Sequence, residues 1–178
     1  MSQADRDPPA VPRIASVAEF FAQALAIEEE AAERYAMLAD QMDVHNNREI
    51  AAIFRKMAAI EAHHRDVIEK RAGKARVDGK PAKFSWIGPS GPEAIDFEDV
   101  HYLMTPHQAL QLARINEERA ARYFEEIAAT AQDPDVRAFA REMADDERRH
   151  VVWVNEWIAK FGAEERPAED PDPPIYQE

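Results

Sequence analysis

The chain contains no cysteine. That excludes disulfides, zinc ribbons and any iron centre held by four thiolates. Glycine is scarce, 5 in 178 residues, while 46% of the chain is hydrophobic and Ala, Glu, Arg and Leu dominate, so it reads as helical. Basic residues are outnumbered, 22 against 35 acidic ones, for a formal net charge of −13. An excess of that sign argues against nucleic acid or an anionic membrane as partner, and bound cations would answer part of it. Long apolar runs are missing too: nothing approaches the ~20 residues of a membrane span, and no signal-peptide core is present. The expected location is the cytoplasm. The length suits one domain with a real core.

Proline is concentrated at the ends. Residues 1–14 are polar and Pro-rich, and residues 163–178 are acidic and Pro-rich; both are expected to be disordered tails around a bundle at 15–162. Four long helices are predicted between them. The first starts at the capping box Ser16 to Glu19 and runs to about Met42. The second runs from near Asn46 to about Arg71, ahead of Gly73. The third opens at Thr105, Pro106 and Gln108, a capping residue, a first-turn proline and a box-closing amide, and ends near Thr130. The fourth runs from Asp133 and Pro134 to Phe161. Short joins make helices one and two, and helices three and four, antiparallel pairs. From Ala72 to Met104 the chain crosses without a long helix, with a short helical piece expected between Asp96 and Leu103, and Phe84, Trp86 and Ile87 expected to pack. The fold class is all-α, two antiparallel hairpins joined by one long crossover, the ferritin-like plan.

Within this frame one pattern occurs twice. Arg55, Met57, Ala58, Glu61 and His64 recur as Arg141, Met143, Ala144, Glu147 and His150, 86 positions on. A Glu and a His three apart lie one turn from each other on a single helix face. Each helix also carries an apolar stripe at steps of three and four, and each stripe is interrupted by a carboxylate. Phe21, Ala24, Glu28, Ala31, Tyr35 and Leu38 form the first; Ile50, Phe54, Met57, Glu61, His64 and Ile68 the second. Leu110, Ala113, Glu117, Ala120, Phe124 and Ile127 form the third; Val136, Ala140, Met143, Glu147, His150 and Val154 the fourth. The register selects Glu28 over Glu29 and Glu30, and Glu117 over Glu118. In the first and third helices the selected Glu lies seven before an aromatic, Tyr35 and Phe124.

A single Glu on an apolar stripe ordinarily snorkels outward or sits at a bundle end. Four in one core layer cannot be excused that way, because each unpaired buried charge costs several kcal/mol and like charges repel. Two divalent ions cancel four negative charges, and neutral imidazoles complete the coordination. Hard oxygens with imidazole suit iron or manganese. His63 lies about 100° round the helix from His64 and is expected to be solvated. Asp146 is either an orienter of a ligand His or a surface acid, and Arg55 and Arg141 are expected at the surface. Val152 and Trp153 lie off the central line and are expected to face the crossover or another subunit.

These residues resemble the ferritin-like superfamily, most closely rubrerythrin-type and bacterioferritin-type di-iron proteins, over about Ser16 to Phe161. The resemblance implies Glu61 and Glu147 as bridging carboxylates, Glu28 and Glu117 as terminal ligands, and His64 and His150 as one ligand to each metal. It also implies Tyr35 as the tyrosine that takes part in the chemistry. The implied cofactor is a pair of iron ions, with manganese the alternative. Two departures stand out: without cysteine no rubredoxin-like domain exists, and the further glutamate that rubrerythrins carry one turn after the third-helix Glu is here Ala120.

The expected function is a rubrerythrin-like di-iron oxidoreductase, oxidising ferrous iron with O2 or reducing H2O2. Its electrons would come from a separate donor protein or from ferrous iron, and it is expected to be a homo-oligomer. A ferritin-type iron-storage subunit, an oxygenase of a small organic substrate and a metal-free bundle are the alternatives.

Overall fold

The computed structural model describes residues 13–75, 92–93, 100 and 103–161. Four helices account for nearly all of them: α1 (Val17–Val44), α2 (Arg48–Ala75), α3 (Pro106–Thr130) and α4 (Pro134–Phe161).

Their starts are set by side chains that satisfy the first free N–H groups. Ser16 Oγ accepts from Glu19 N at 3.2 Å, and the Glu19 carboxylate accepts from Ala15 N at 2.9 Å, one residue earlier than a strict capping box. At α3 the box is reciprocal: Gln108 N donates to Thr105 Oγ1 at 3.2 Å and Thr105 N to Gln108 Oε1 at 2.9 Å. Asp133 Oδ1 accepts from Asp135 N at 2.8 Å at the start of α4. Between α1 and α2 the chain reverses through Asn46, whose φ of 58° is a left-handed conformation that asparagine tolerates better than most residues.

Two ends differ from the sequence expectation. Helix α2 does not stop near Arg71 but continues through Gly73 to Ala75. A helical glycine costs only about 1 kcal/mol, too little to break a helix already propagating over six turns. Ile14, placed by the sequence in the N-terminal tail, is 5% exposed and belongs to the apolar cluster that contains Phe20 and Ile127. An apolar side chain that reaches the core is drawn into it whatever the composition of its neighbours. The expectations for residues 1–12, for Phe84, Trp86 and Ile87, and for residues 163–178 lie outside the described residues. Of the short helix expected at 96–103, Val100 and Leu103 are described, and neither is helical.

Helix α1 packs along α2 and α3 along α4. Two apolar clusters fill the bundle. One joins Met42, Ile50, Phe54 and Leu110 with Val154; the other joins Phe20, Ile68, Phe124 and Ile127 with Val136. The first therefore contains the end of α1, the starts of α2 and α3, and the end of α4. Helices α2 and α3 run parallel, so the end of α2 and the start of α3 lie at opposite ends of the bundle, as the ferritin-like plan requires. Asn47 Nδ2 donates to Met104 O at 3.2 Å and ties the α1–α2 turn to the start of α3.

Candidate metal centre

Between the two apolar clusters lies a layer of acids and imidazoles. Each of the six residues expected to bind metal is on the stripe that the register assigned to it. Glu28, Glu61, Glu117 and Glu147 are each 0% exposed and His150 is 2% exposed, while His64 is partly buried. Glu29 is exposed and Glu30 and Glu118 are partly so, which confirms the register on α1 and α3. Ligand atoms of Glu61, His64 and His150 lie within 4.8 Å of one another, as do those of Glu28, His64 and Glu147, and those of Glu117, Glu147 and His150. The three sets share members, so the six residues form one continuous constellation.

Its two halves mirror each other. In the α1–α2 hairpin, His64 Nδ1 faces Glu28 Oε2 at 3.9 Å; in the α3–α4 hairpin, His150 Nδ1 faces Glu117 Oε2 at 3.0 Å. The two imidazole rings are 4.5 Å apart between centroids. His150 Nδ1 is also 3.3 Å from Glu147 Oε2. In both halves the same ring nitrogen turns inward, as two metal positions related by the repeat would demand.

The site also contains a carboxylate that the sequence did not flag. Glu93, in the crossover, is 1% exposed, and one of its oxygens lies within 4.8 Å of ligand atoms of Glu28 and Glu61. It belongs to no helix, and helical period was the signal used, so nothing in that signal could find it. Asn116 is likewise buried beside the site, with its Nδ2 lacking a hydrogen-bond partner.

Metal ions fit this donor set. Both oxygens of Glu28, Glu61, Glu93 and Glu147 are buried without a hydrogen-bond donor. Buried polar atoms in native proteins almost always have partners. Glu28 and Glu61 do approach each other, and Glu117 approaches Glu147, but carboxylates bond to one another only if one keeps a proton. Without metal the acids respond accordingly. Burial, opposed in part by Glu61 and His150, pushes Glu28 up to about 8. Burial and the neighbouring carboxylates push Glu61, Glu93 and Glu147 well above the ordinary range. Burial, with His150, His63 and Arg149 nearby, lowers His64 to about 4, so its ring stays neutral. His150 is disfavoured as a cation by burial, but its hydrogen bond to Glu117 and the surrounding acids outweigh that and raise it.

Tyr35 donates from its hydroxyl to Glu117 Oε1 at 3.2 Å. Burial, then the charges of Glu117, Glu61 and Glu93, raise its pKa well above 10.0 and hold it as a donor. The remaining candidates sit apart. His63 is exposed, Asp146 pairs with Arg149 instead of a ligand imidazole, and Arg55 pairs with Asp43 at the surface. Trp153 is 44% exposed and stacks on His150, with ring centroids 5.3 Å apart.

Comparison with known proteins agrees with this geometry. The rubrerythrin family model matches residues 19–85 and 108–176. The chain belongs to the rubrerythrin family. Among solved structures it is similar to an uncharacterized conserved protein from Magnetospirillum magnetotacticum MS-1, with 42% identity and a TM-score of 0.64, covering 84% of this chain and 98% of that one. No curated protein matches it significantly. Rubrerythrin membership accounts for the four-helix frame and for a di-iron type of donor set. Lacking cysteine, this rubrerythrin-family chain has no place for a thiolate-held iron. Among the described residues, no helix is long and apolar enough to cross a membrane.

Proposed function

We propose that the chain is a di-iron oxidoreductase that oxidises ferrous iron with O2 or reduces H2O2 to water. The observation that carries this reading is the layer of buried, unpartnered carboxylate oxygens around two inward-turned imidazoles. Two iron ions held by Glu28, Glu61, His64, Glu117, Glu147 and His150 would supply two electrons and Lewis acidity to a small oxidant. The chain's own residues do the rest. Tyr35 holds Glu117 in place by its hydroxyl, which stays protonated beside the site. The apolar clusters on either side exclude water and keep the donors in place. Reduction of one H2O2 takes two electrons and two protons and yields two waters. With no internal thiolate-held iron, the electrons come from a separate donor protein or from ferrous iron itself.

The same reading places the protein in the cytoplasm as a small homo-oligomer, for which exposed Val152 and Trp153 on α4 offer a face. The test is metal analysis of protein purified without added metal, then stopped-flow mixing of the ferrous form with O2 and with H2O2. About two irons per chain and rapid oxidation by either oxidant are expected; metal-free protein that takes up no iron would sink the reading. Size exclusion separates a small oligomer from a storage cage.

A further inference from the structure

The crossover reaches the site at Pro92 and Glu93. Glu93 is 1% exposed and neither of its oxygens has a hydrogen-bond donor. It groups with Glu28 and Glu61, each offering an oxygen within 4.8 Å of the others. The backbone beside it is anchored: the Arg119 guanidinium donates to the Pro92 carbonyl and, at 2.9 Å, to Asn116 Oδ1. Asn116 immediately precedes the ligand Glu117, so one arginine links the crossover to the helix that supplies a ligand.

We propose that Glu93 is a fifth carboxylate ligand, delivered by the crossover to the metal position formed with Glu28 and Glu61, and that Arg119 is the residue that positions it. This rests on reading the site as a dinuclear metal centre. Two consequences follow from charge and connectivity. Four carboxylates balance two divalent ions, whereas five leave an excess negative charge that two trivalent ions absorb. Glu93 therefore favours the oxidised metal pair and lowers its reduction potential. The two metal positions also become unequal, one with the three carboxylates Glu28, Glu61 and Glu93 beside His64, the other with Glu117, Glu147 and His150.

The competing role for a buried acid is that of a neutral, protonated packing group. Glu93→Gln separates the two, because glutamine keeps the shape and the neutral hydrogen bonding but is a poor ligand for a hard cation. The experiment is anaerobic calorimetric titration of the full chain with ferrous ion and with manganous ion, followed by a mediated redox titration of the iron-loaded forms. Glu93→Gln should weaken one of two metals by tenfold or more, leave the other within a few-fold, and raise the midpoint potential. Arg119→Gln should weaken the same metal by less, and Arg119→Lys should recover part of the loss. Circular dichroism of the metal-free variants checks that the bundle is intact. Wild-type affinities and potential in Glu93→Gln would overturn the ligand assignment. Wild-type affinities in Arg119→Gln would overturn the positioning role. Glu61→Ala serves as the control: if it too binds two metals as the parent does, the dinuclear reading itself fails.

Discussion

The hydroxyl of Tyr35 on α1 donates a 3.2 Å hydrogen bond to Glu117 Oε1 on α3, joining the two hairpins across the candidate metal layer. One oxygen of Glu117 is thereby held by a tyrosine while the other faces His150 at 3.0 Å. Tyr35→Phe removes the donor and keeps the ring packed against Phe54. Two metals should still bind, stability should fall by roughly 1–2 kcal/mol, and the rate of ferrous oxidation should change. Metal analysis, denaturant unfolding and stopped-flow kinetics check the three parts; loss of metal would show that Tyr35 is needed to build the site.

Metal-free protein should become less stable as pH rises. A buried acid whose folded pKa is raised keeps its proton while the unfolded chain has released it. Its stabilising contribution is complete below the unfolded value and is lost as pH climbs through the folded one. For Glu28 that window runs from 4.5 to about 8. Glu61, Glu93 and Glu147 are raised in the same sense, and so is His150. His64 opposes them: lowered to about 4 from 6.5, its contribution is present above 6.5 and lost as pH falls through about 4. Above 6.5 the acids act without that opposition, and each retained proton should lower stability by about 1.4 kcal/mol per pH unit. Urea unfolding in chelator across pH 5–8.5 measures the slope; a flat or rising curve would contradict the buried acid layer.

Loading metal should displace those protons. Titration of ferrous or manganous ion at neutral pH should release at least one proton per chain and raise the melting temperature. Calorimetry in two buffers of different ionisation enthalpy counts the protons directly. Equal apparent enthalpies in both buffers would mean that no proton leaves, contrary to expectation.

Glu61→Ala and Glu147→Ala should each abolish the dinuclear site and its reaction with O2 or peroxide. The double variant should stay helical, and without metal it should be at least as stable as the parent, since two costly buried acids are gone. Circular dichroism, metal content and oxidation rate, measured side by side, decide it. Two bound metals and the parent rate in either single variant would remove the basis for the function proposed above.

The helices and six residues of the acid and imidazole layer were legible in the sequence because both obey one period. Burial on a helix recurs every three or four residues, and a carboxylate on that stripe is visible as an exception to it, as at Glu28, Glu61, Glu117 and Glu147. The same rule set the choice between Glu117 and Glu118 and placed His64 and His150 one turn beyond their acids. The caps at Ser16 and Thr105 were legible too, being local hydrogen bonding. The end of α2 was not, because a single Gly73 is a weak stop against a packed helix. Tertiary structure alone decided that Ile14 joins the core, that Tyr35 meets Glu117 from another hairpin, that Trp153 stacks on His150, and that Glu93 enters the acid layer. Each of these depends on where two segments far apart in the chain meet, and the crossover has no period that would place its residues against the bundle.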